Sequence, residues 1–285
     1  MRIGLAGCGR WGTKIARDLH ALNLQLEIAD PVTGTYASAR ELPPCDAYVI
    51  ATPATTHASV LEVLLPHGKP VFCEKPLGTS ACELEALPAA ARELVFVMDK
   101  WRYHRAIERL GRLAADGSLG ALAGIATRRL DSRDSQADVD CTWTLLPHEL
   151  AIVAEIAGRA PVAAAAAASS DGGRVVGLVS HLRAGDAYAV STISVRSPAR
   201  VRAVEVIFAD GTATFGDDDE ATITLASRDA GSTEKLGVAF VPPLRCELEA
   251  FVAYAAGTGA PPKSTFTDGV DTVRTIEQLR ALARV

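Results

Sequence analysis

Two short stretches near the start of the chain bring together residue types that can hold phosphate and sugar hydroxyls. Gly7-Cys8-Gly9-Arg10-Trp11-Gly12 has the spacing G-x-G-x-x-G, directly after the apolar run Ile3–Ala6 and directly before a segment of helical periodicity. In that setting Gly7 permits a tight turn, Gly9 lets the backbone approach a pyrophosphate, and Gly12 lets helix and strand pack closely. The helix start, with Arg10 and Trp11 inside the turn, then offers N–H groups and a positive dipole end to phosphate. Asp30 stands eighteen residues after Gly12, at the end of the next strand-like run. A carboxylate there accepts hydrogen bonds from ribose hydroxyls and repels a 2′-phosphate. No Arg or Lys occurs in the following Pro31-Val32-Thr33-Gly34, so NAD(H) is favoured over NADP(H). A second reading of Asp30, as the cap of a turn begun with Pro31, stays open beside the first.

Such a turn works only if strands and helices alternate around it. Leu24–Ala29, Asp46–Thr52, Pro70–Cys73 and Leu94–Met98 read as further strands, and Arg10–Leu22, Thr55–Leu65, Ser80–Glu93 and Trp101–Ala115 as helices. Strands separated by helices of this length imply right-handed crossovers and a parallel, doubly wound Rossmann sheet. Only Tyr36–Leu42 is available for the second helix. After about Gly120 the texture changes. Ala121–Leu130, Arg174–Leu178, Tyr188–Val195, Val201–Phe208, Thr212–Phe215 and Ala221–Ala226 look like strands, with a hairpin turn at Ala209-Asp210-Gly211. Ala163–Ala168 favours helix by propensity, but its place between Pro161 and Ser169-Ser170 argues for a strand. Helices are expected at Pro147–Ala157, Leu244–Ala256 and Gly269–Ala283. The fold class is therefore α/β plus α+β. A dinucleotide-binding domain spans residues 1–120, and a substrate and dimerisation domain on an open, mostly antiparallel sheet spans 121–285. The last helix, about residues 269–285, is placed to pack back on the first domain.

Composition narrows the classes further. Of 285 residues, 29 are Lys or Arg and 34 are Asp or Glu, giving a net charge of -5, which disfavours nucleic acid and membrane surfaces as partners. No apolar run reaches the roughly 20 residues of a membrane span. Met1-Arg2 runs straight into the first strand, so no leader is expected. The six cysteines show no C-x-x-C pair and read as reduced thiols of a cytoplasmic protein, not as a zinc site. No metal is expected.

Further motifs carry a resemblance. Ala51-Thr52-Pro53-Ala54-Thr55-Thr56-His57 resembles a strand-end motif A-T-P-x-x-x-H, and Glu74-Lys75-Pro76 resembles a hallmark E-K-P motif at the end of the next strand. Their spacing from the glycine turn is similar to that of the Gfo/Idh/MocA oxidoreductase family. Gly117-Ser118-Leu119-Gly120 and the hairpin Val204–Phe215 look like the family's later landmarks, and the match is looser after residue 120. The resemblance implies an NAD(H)-dependent oxidoreductase acting on a small polar carbonyl, hydroxyl or imine substrate, such as a sugar derivative. It implies Lys75 as proton donor or acceptor, which suits a lysine whose pKa partial burial and a nearby cofactor bring towards neutrality. It further implies a cis peptide before Pro76, Glu74 near the cofactor, Thr52, Pro53 and His57 along the nicotinamide-ribose side, and a homo-oligomer, dimer or tetramer.

The second half departs from the family. Where many relatives carry D-x-x-x-H on a helix, this chain has Thr144-Leu145-Leu146-Pro147-His148, so His148 is kept as second acid and Thr144 replaces the aspartate. Threonine can hydrogen-bond a hydroxyl but cannot act as a base near neutral pH. Oxidation of an alcohol is thereby less secure than reduction of a carbonyl or imine. A non-catalytic NAD(H)-binding sensor of the same fold is the alternative. Arg102 and Tyr103, in Lys100-Trp101-Arg102-Tyr103-His104, are candidates with Arg133 for an anionic substrate group, although a solvated helix start explains them equally. Arg105 stands where the family has proline in this segment.

Overall fold

Runs of four or five mostly apolar residues form the first sheet: β1 (Arg2–Ala6), β2 (Gln25–Ala29), β3 (Ala47–Ile50), β4 (Val71–Glu74) and β5 (Val95–Met98). All pair in parallel, in the order β2-β1-β3-β4-β5. The chain leaves β1 for one neighbour and returns to the other side for β3. This reversal opens a crevice at the carboxyl ends of β1 and β3, the place where ligands bind in such sheets. The computed structural model describes residues 1–132, 138–216, 222–228 and 231–285. These fall into two units, residues 1–100 with 243–273, and residues 101–242 with 274–285.

The first unit holds α1 (Gly12–Ala21), α2 (His57–Leu64), α3 (Ala81–Glu85) and α4 (Ala91–Leu94). The expected helix over Ser80–Glu93 is in fact α3 and α4, because Pro88 lacks an N–H and clashes within a helix interior. Tyr36–Leu42 supplies only a single 3₁₀ turn at Ala39–Glu41. The core joins Ile3, Leu5, Val49 and Phe72 of the sheet to Ile15 and Leu19 of α1. Leu244, Leu248 and Phe251, from a helix much later in the chain, complete it, and Phe251 stacks on Phe72 at 4.7 Å between ring centroids. Each large apolar side chain buried here contributes about 1.5–3 kcal/mol.

The second unit carries α5 (Arg105–Asp116), preceded by a 3₁₀ turn at Lys100–Tyr103 where a continuous helix was expected. The strands β6 (Leu122–Leu130), β7 (Val162–Asp171), β8 (Arg174–Ala184), β9 (Ala187–Ser194), β10 (Val201–Phe208), β11 (Gly211–Gly216), β12 (Thr222–Ser227) and β13 (Thr233–Gly237) form one sheet. Its order is β13-β12-β11-β10-β6-β9-β8-β7, antiparallel except for β6 beside β9. Helices α6 (Cys141–Thr144) and α7 (Leu146–Ala157) follow β6, and α7 packs on β6, β8 and β9 and against α5. The polyalanine run is indeed a strand, β7, since its ladder with β8 outweighs helix propensity. β8 runs six residues past the expected end at Leu178. β13 was not expected, because its residues are polar and exposed along nearly their whole length. Arg133, and Ala221 at the start of an expected strand, lie outside the described residues.

Late in the chain come α8 (Pro243–Ala255) and α9 (Phe266–Ala283). Among the described residues, no helix is long and apolar enough to cross a membrane, and no group of three His, Cys, Asp or Glu side chains is placed to hold a metal. All six cysteines are free thiols.

Candidate active site

The glycine turn closes on constraints that only glycine meets at two of its three positions. Gly7 has φ +91°, and a Cβ there would lie 2.6 Å from the Ala51 backbone. At Gly12 a Cβ would lie 2.2 Å from the Gly7 carbonyl oxygen. Among the described residues no atom demands glycine at position 9, where a Cβ would meet nothing within 4 Å. Helix α1 starts at Gly12 with no side-chain cap bond and no acidic residue in its first turn. An uncapped helix start beneath an open glycine is the cradle a pyrophosphate fits, so the residues suit a dinucleotide.

Asp30 caps the turn that follows it and also reaches the glycine turn. Its Oδ1 accepts from the N–H groups of Val32 and Thr33 at 2.9 and 3.0 Å, which is the turn cap. Its Oδ2 accepts from the Cys8 N–H at 2.8 Å, which ties the end of β2 to the glycine turn. The Cys8 N–H first, then those of Val32 and Thr33, hold the carboxyl below its usual range against the effect of burial. Asp30 is therefore an anion at the edge of the turn near neutral pH; Thr33 Oγ1 also donates to Oδ1, which leaves the second acceptor site of Oδ2 for a ribose hydroxyl.

The ends of β3 and β4 are clamped together. His57, only 1% exposed, places Nδ1 2.8 Å from the Pro76 carbonyl oxygen and Nε2 3.0 Å from that of Thr52. Thr56 Oγ1 donates to Thr52 Oγ1 at 2.9 Å or to the Pro53 carbonyl at 2.7 Å. The Lys75–Pro76 peptide is cis. Lys75 itself is half-buried, between the buried Glu74 and the buried Pro76.

Glu74 joins this lysine to the glycine turn. One of its carboxyl oxygens accepts from the Trp11 indole N–H, and the other accepts from the Lys75 backbone N–H at 3.1 Å. Burial pushes its pKa up to about 7, opposed by Lys75 and Lys100 and reinforced by Asp99. The ammonium groups of Lys14 and Lys100 lie over the Trp11 ring, 4.9 and 4.8 Å from its centroid. Sequence reasoning missed Asp99 and Glu247, two further buried acids in reach of Glu74. A signal for Glu247 existed: Leu244, Glu247, Leu248 and Phe251 form the buried stripe of α8, with a charge-bearing residue at an apolar position.

The remaining candidates lie in the second unit. Arg102 donates from Nε to Glu155 Oε2 at 3.0 Å, so its charge already has a partner, and Tyr103 is buried. Thr144 is buried at the end of α6, and His148 is half-buried in the first turn of α7, its N–H donating to the Leu145 carbonyl at 3.2 Å. Asp140 caps α6 through Thr142 and also accepts from Arg280 at 2.8 Å, which fixes the short helix that presents Thr144. Under α7, Glu149 pairs with Arg129 of β6, both buried, and the Arg129 guanidinium lies 4.5 Å from the Trp101 ring centroid. Trp101 in turn stacks on His104 at 5.2 Å, and His104 Nδ1 caps α5 by accepting from the Ala106 N–H at 3.3 Å.

Comparison with known proteins bears on the fold and the family. Residues 23–98 match the family model of the Gfo/Idh/MocA proteins, described as an oxidoreductase family with an NAD-binding Rossmann fold. An inositol 2-dehydrogenase from Rhodococcus jostii is 43% identical over 82 residues, covering 27% of this chain and 22% of that protein. An inositol 2-dehydrogenase from Acidothermus cellulolyticus is 30% identical over 178 residues, covering 54% of this chain and 52% of that protein. The matched region thus spans about half of these relatives or less. A UDP-N-acetylglucosamine 3-dehydrogenase from Acidithiobacillus ferrooxidans shares the fold with a TM-score of 0.85 at 22% identity, over 99% of this chain and 97% of that one. A levoglucosan dehydrogenase in complex with NADH does so with a TM-score of 0.85 at 17% identity, over 100% and 97%.

Proposed function

We propose that this chain, whose Rossmann segment belongs to the Gfo/Idh/MocA oxidoreductase family, is an NAD(H)-dependent oxidoreductase acting on a small polar carbonyl or hydroxyl compound, a sugar derivative by analogy with its relatives. The observation that carries the reading is the tie from the glycine turn through Trp11 and Glu74 to the backbone of Lys75. Gly7, Gly9 and Gly12, with Arg10 and Trp11, hold the pyrophosphate, and Asp30 holds the adenosine ribose. Thr52 and Pro53 line the nicotinamide-ribose side, and His57 keeps them in place. When bound, the nicotinamide supplies or accepts the hydride. Lys75 gives a proton to the substrate oxygen on reduction, or takes it on oxidation, while Glu74 and Pro76 fix its backbone. His148 serves as a second acid and Thr144 as a hydrogen-bond partner of a substrate hydroxyl. Arg102 is the weaker candidate for an anionic group, because Glu155 already neutralises it.

Titration with NADH and with NADPH tests the cofactor assignment. NADH is expected to bind more tightly by at least about tenfold, and Asp30→Asn, which keeps an acceptor but removes the charge, to lose most of that preference. Equal binding of the two nucleotides by the unaltered protein would take the selecting role away from Asp30. Failure to bind either would end the oxidoreductase reading.

Self-association belongs to the same reading. Val162, Arg183 and Tyr188 stand opposite one another across β7, β8 and β9, with Val162 and Tyr188 exposed. Gly124 leaves the room that the Tyr188 ring occupies, since a Cβ there would come within 2.4 Å of it. Sedimentation should give a dimer or larger species that Tyr188→Lys weakens. A single monomer mass at all concentrations would discard the oligomer.

A further inference from the structure

The first unit buries more carboxyl groups than holding the glycine turn requires. Glu74 at the end of β4, Asp99 after β5 and Glu247 on α8 are all buried and within electrostatic reach of one another. Their situations differ. Glu74 receives two N–H donors and feels the charges of Lys75 and Lys100. Glu247 is 1% exposed, its Oε2 has no hydrogen-bond partner among the described residues, and Lys100 acts on it as a cation, against both Glu74 and Asp99. A carboxylate without donors is far costlier to bury than a neutral acid, so of these two the proton belongs on Glu247.

We propose that Glu247 is a positioning residue that acts through Glu74: it keeps its proton over the working range, leaving Glu74 to ionise and, as an anion, to draw Trp11 of the glycine turn and the Lys75 backbone onto itself. This rests on the function proposed above for the turn and for Lys75. The groups facing the pair are Lys75 from the end of β4, Asp99 and Lys100 from beyond β5, and Lys14 of α1 across the Trp11 ring. Below its own titration range Glu74 becomes neutral and its hold on Trp11 weakens. When Glu247 loses its proton, a second negative charge stands against Glu74 in the same buried space. Cofactor binding therefore has an acid limb belonging to Glu74 and an alkaline limb belonging to Glu247.

NADH fluorescence titrations from about pH 5 to about pH 9.5 test this. Over the alkaline limb the wild type is expected to lose about tenfold in affinity, and Glu247→Gln less than about twofold. Glu247→Met, which fills a similar volume without a titratable group, should behave like Gln, whereas Glu74→Gln should lose the acid limb. An alkaline limb unchanged in both Glu247 variants would overturn the proposal. Two measurements need no cofactor. Because the folded state holds the Glu247 proton more tightly than the unfolded chain, the stability it contributes is present below the ordinary carboxylate range and is lost as pH rises. The wild-type melting midpoint should then fall more steeply towards alkaline pH than that of Glu247→Gln. In carbon-13 spectra of the labelled wild-type chain, one glutamate should remain protonated after Glu74 has titrated, and a spectrum in which no glutamate is still protonated at that point would overturn the proposal even if neither variant folds. A wild type that binds no NADH at any pH would fail the function proposed for the site, and the melts and spectra would still decide on Glu247.

Discussion

Lys75→Met is expected to reduce turnover by about a thousandfold or more while leaving NADH affinity within about threefold, the scale set by loss of a general acid from an otherwise intact site. The asymmetry follows from which atoms of residue 75 do what. Its backbone N–H donates to Glu74, and its carbonyl carbon leads into Pro76, whose own oxygen is held by His57. Methionine keeps both backbone connections and a similar apolar stem. What it removes is the ammonium group, and with it the proton. A loss concentrated in kcat, with binding preserved, marks a group that acts in the transition state. Turnover undiminished in this variant would remove the lysine from the reaction. A wild-type chain that exchanges hydride with no substrate, yet binds NADH, would instead favour the sensor reading that Thr144 motivates.

Arg129→Met carries the largest expected effect on stability. Arg129 and Glu149 are paired inside the second unit with side-chain exposures of 5% and 1%. Replacing the arginine leaves a carboxylate with no compensating charge beneath α7, which costs about 3–5 kcal/mol. The guanidinium also lies over Trp101, a contact worth about 0.5–2 kcal/mol. Urea unfolding of the variant should show that loss, and the double variant Arg129→Met, Glu149→Leu should recover most of it, because the pair's desolvation is removed together with its attraction. A double variant no more stable than the single one would mean that the arginine contributes by packing alone.

The legible parts of this molecule are those whose requirement is local. Gly7 answers to its own positive φ and Gly12 to the Gly7 carbonyl five residues back, and the strand before them and the helix after them follow from short apolar runs and helical spacing. Asp30 was legible from its place at the end of β2 as a turn cap, which it is at Val32, whereas its bond to the Cys8 N–H was not. Long-range packing was less legible. Glu149 and Glu247 both lie on buried faces of their helices, and only for Glu247 did the apolar stripe around it offer a signal. Lys100 read as a solvated helix start, and in the fold its ammonium covers the Trp11 ring. Pro88 was a local signal not weighed, and it divides α3 from α4. β13 gave no apolar alternation at all, because an edge strand of polar residues needs only its ladder to β12.

The place of α8 in the first core has a consequence for how the chain comes into being. A ribosome delivers residues 1–100 well before Pro243–Ala255, and in that interval Phe72 and its neighbours lack Leu248 and Phe251. At about 5–20 residues per second the wait lasts roughly 7–30 s. During it the apolar faces of Phe72 and its neighbours that α8 covers in the finished unit have no such cover. The second unit, most of it spelled out in between, has its own sheet to assemble first. Synthesis and folding thus run in nested order, with the segment that seals the first unit emerging only after most of the second unit has been spelled out.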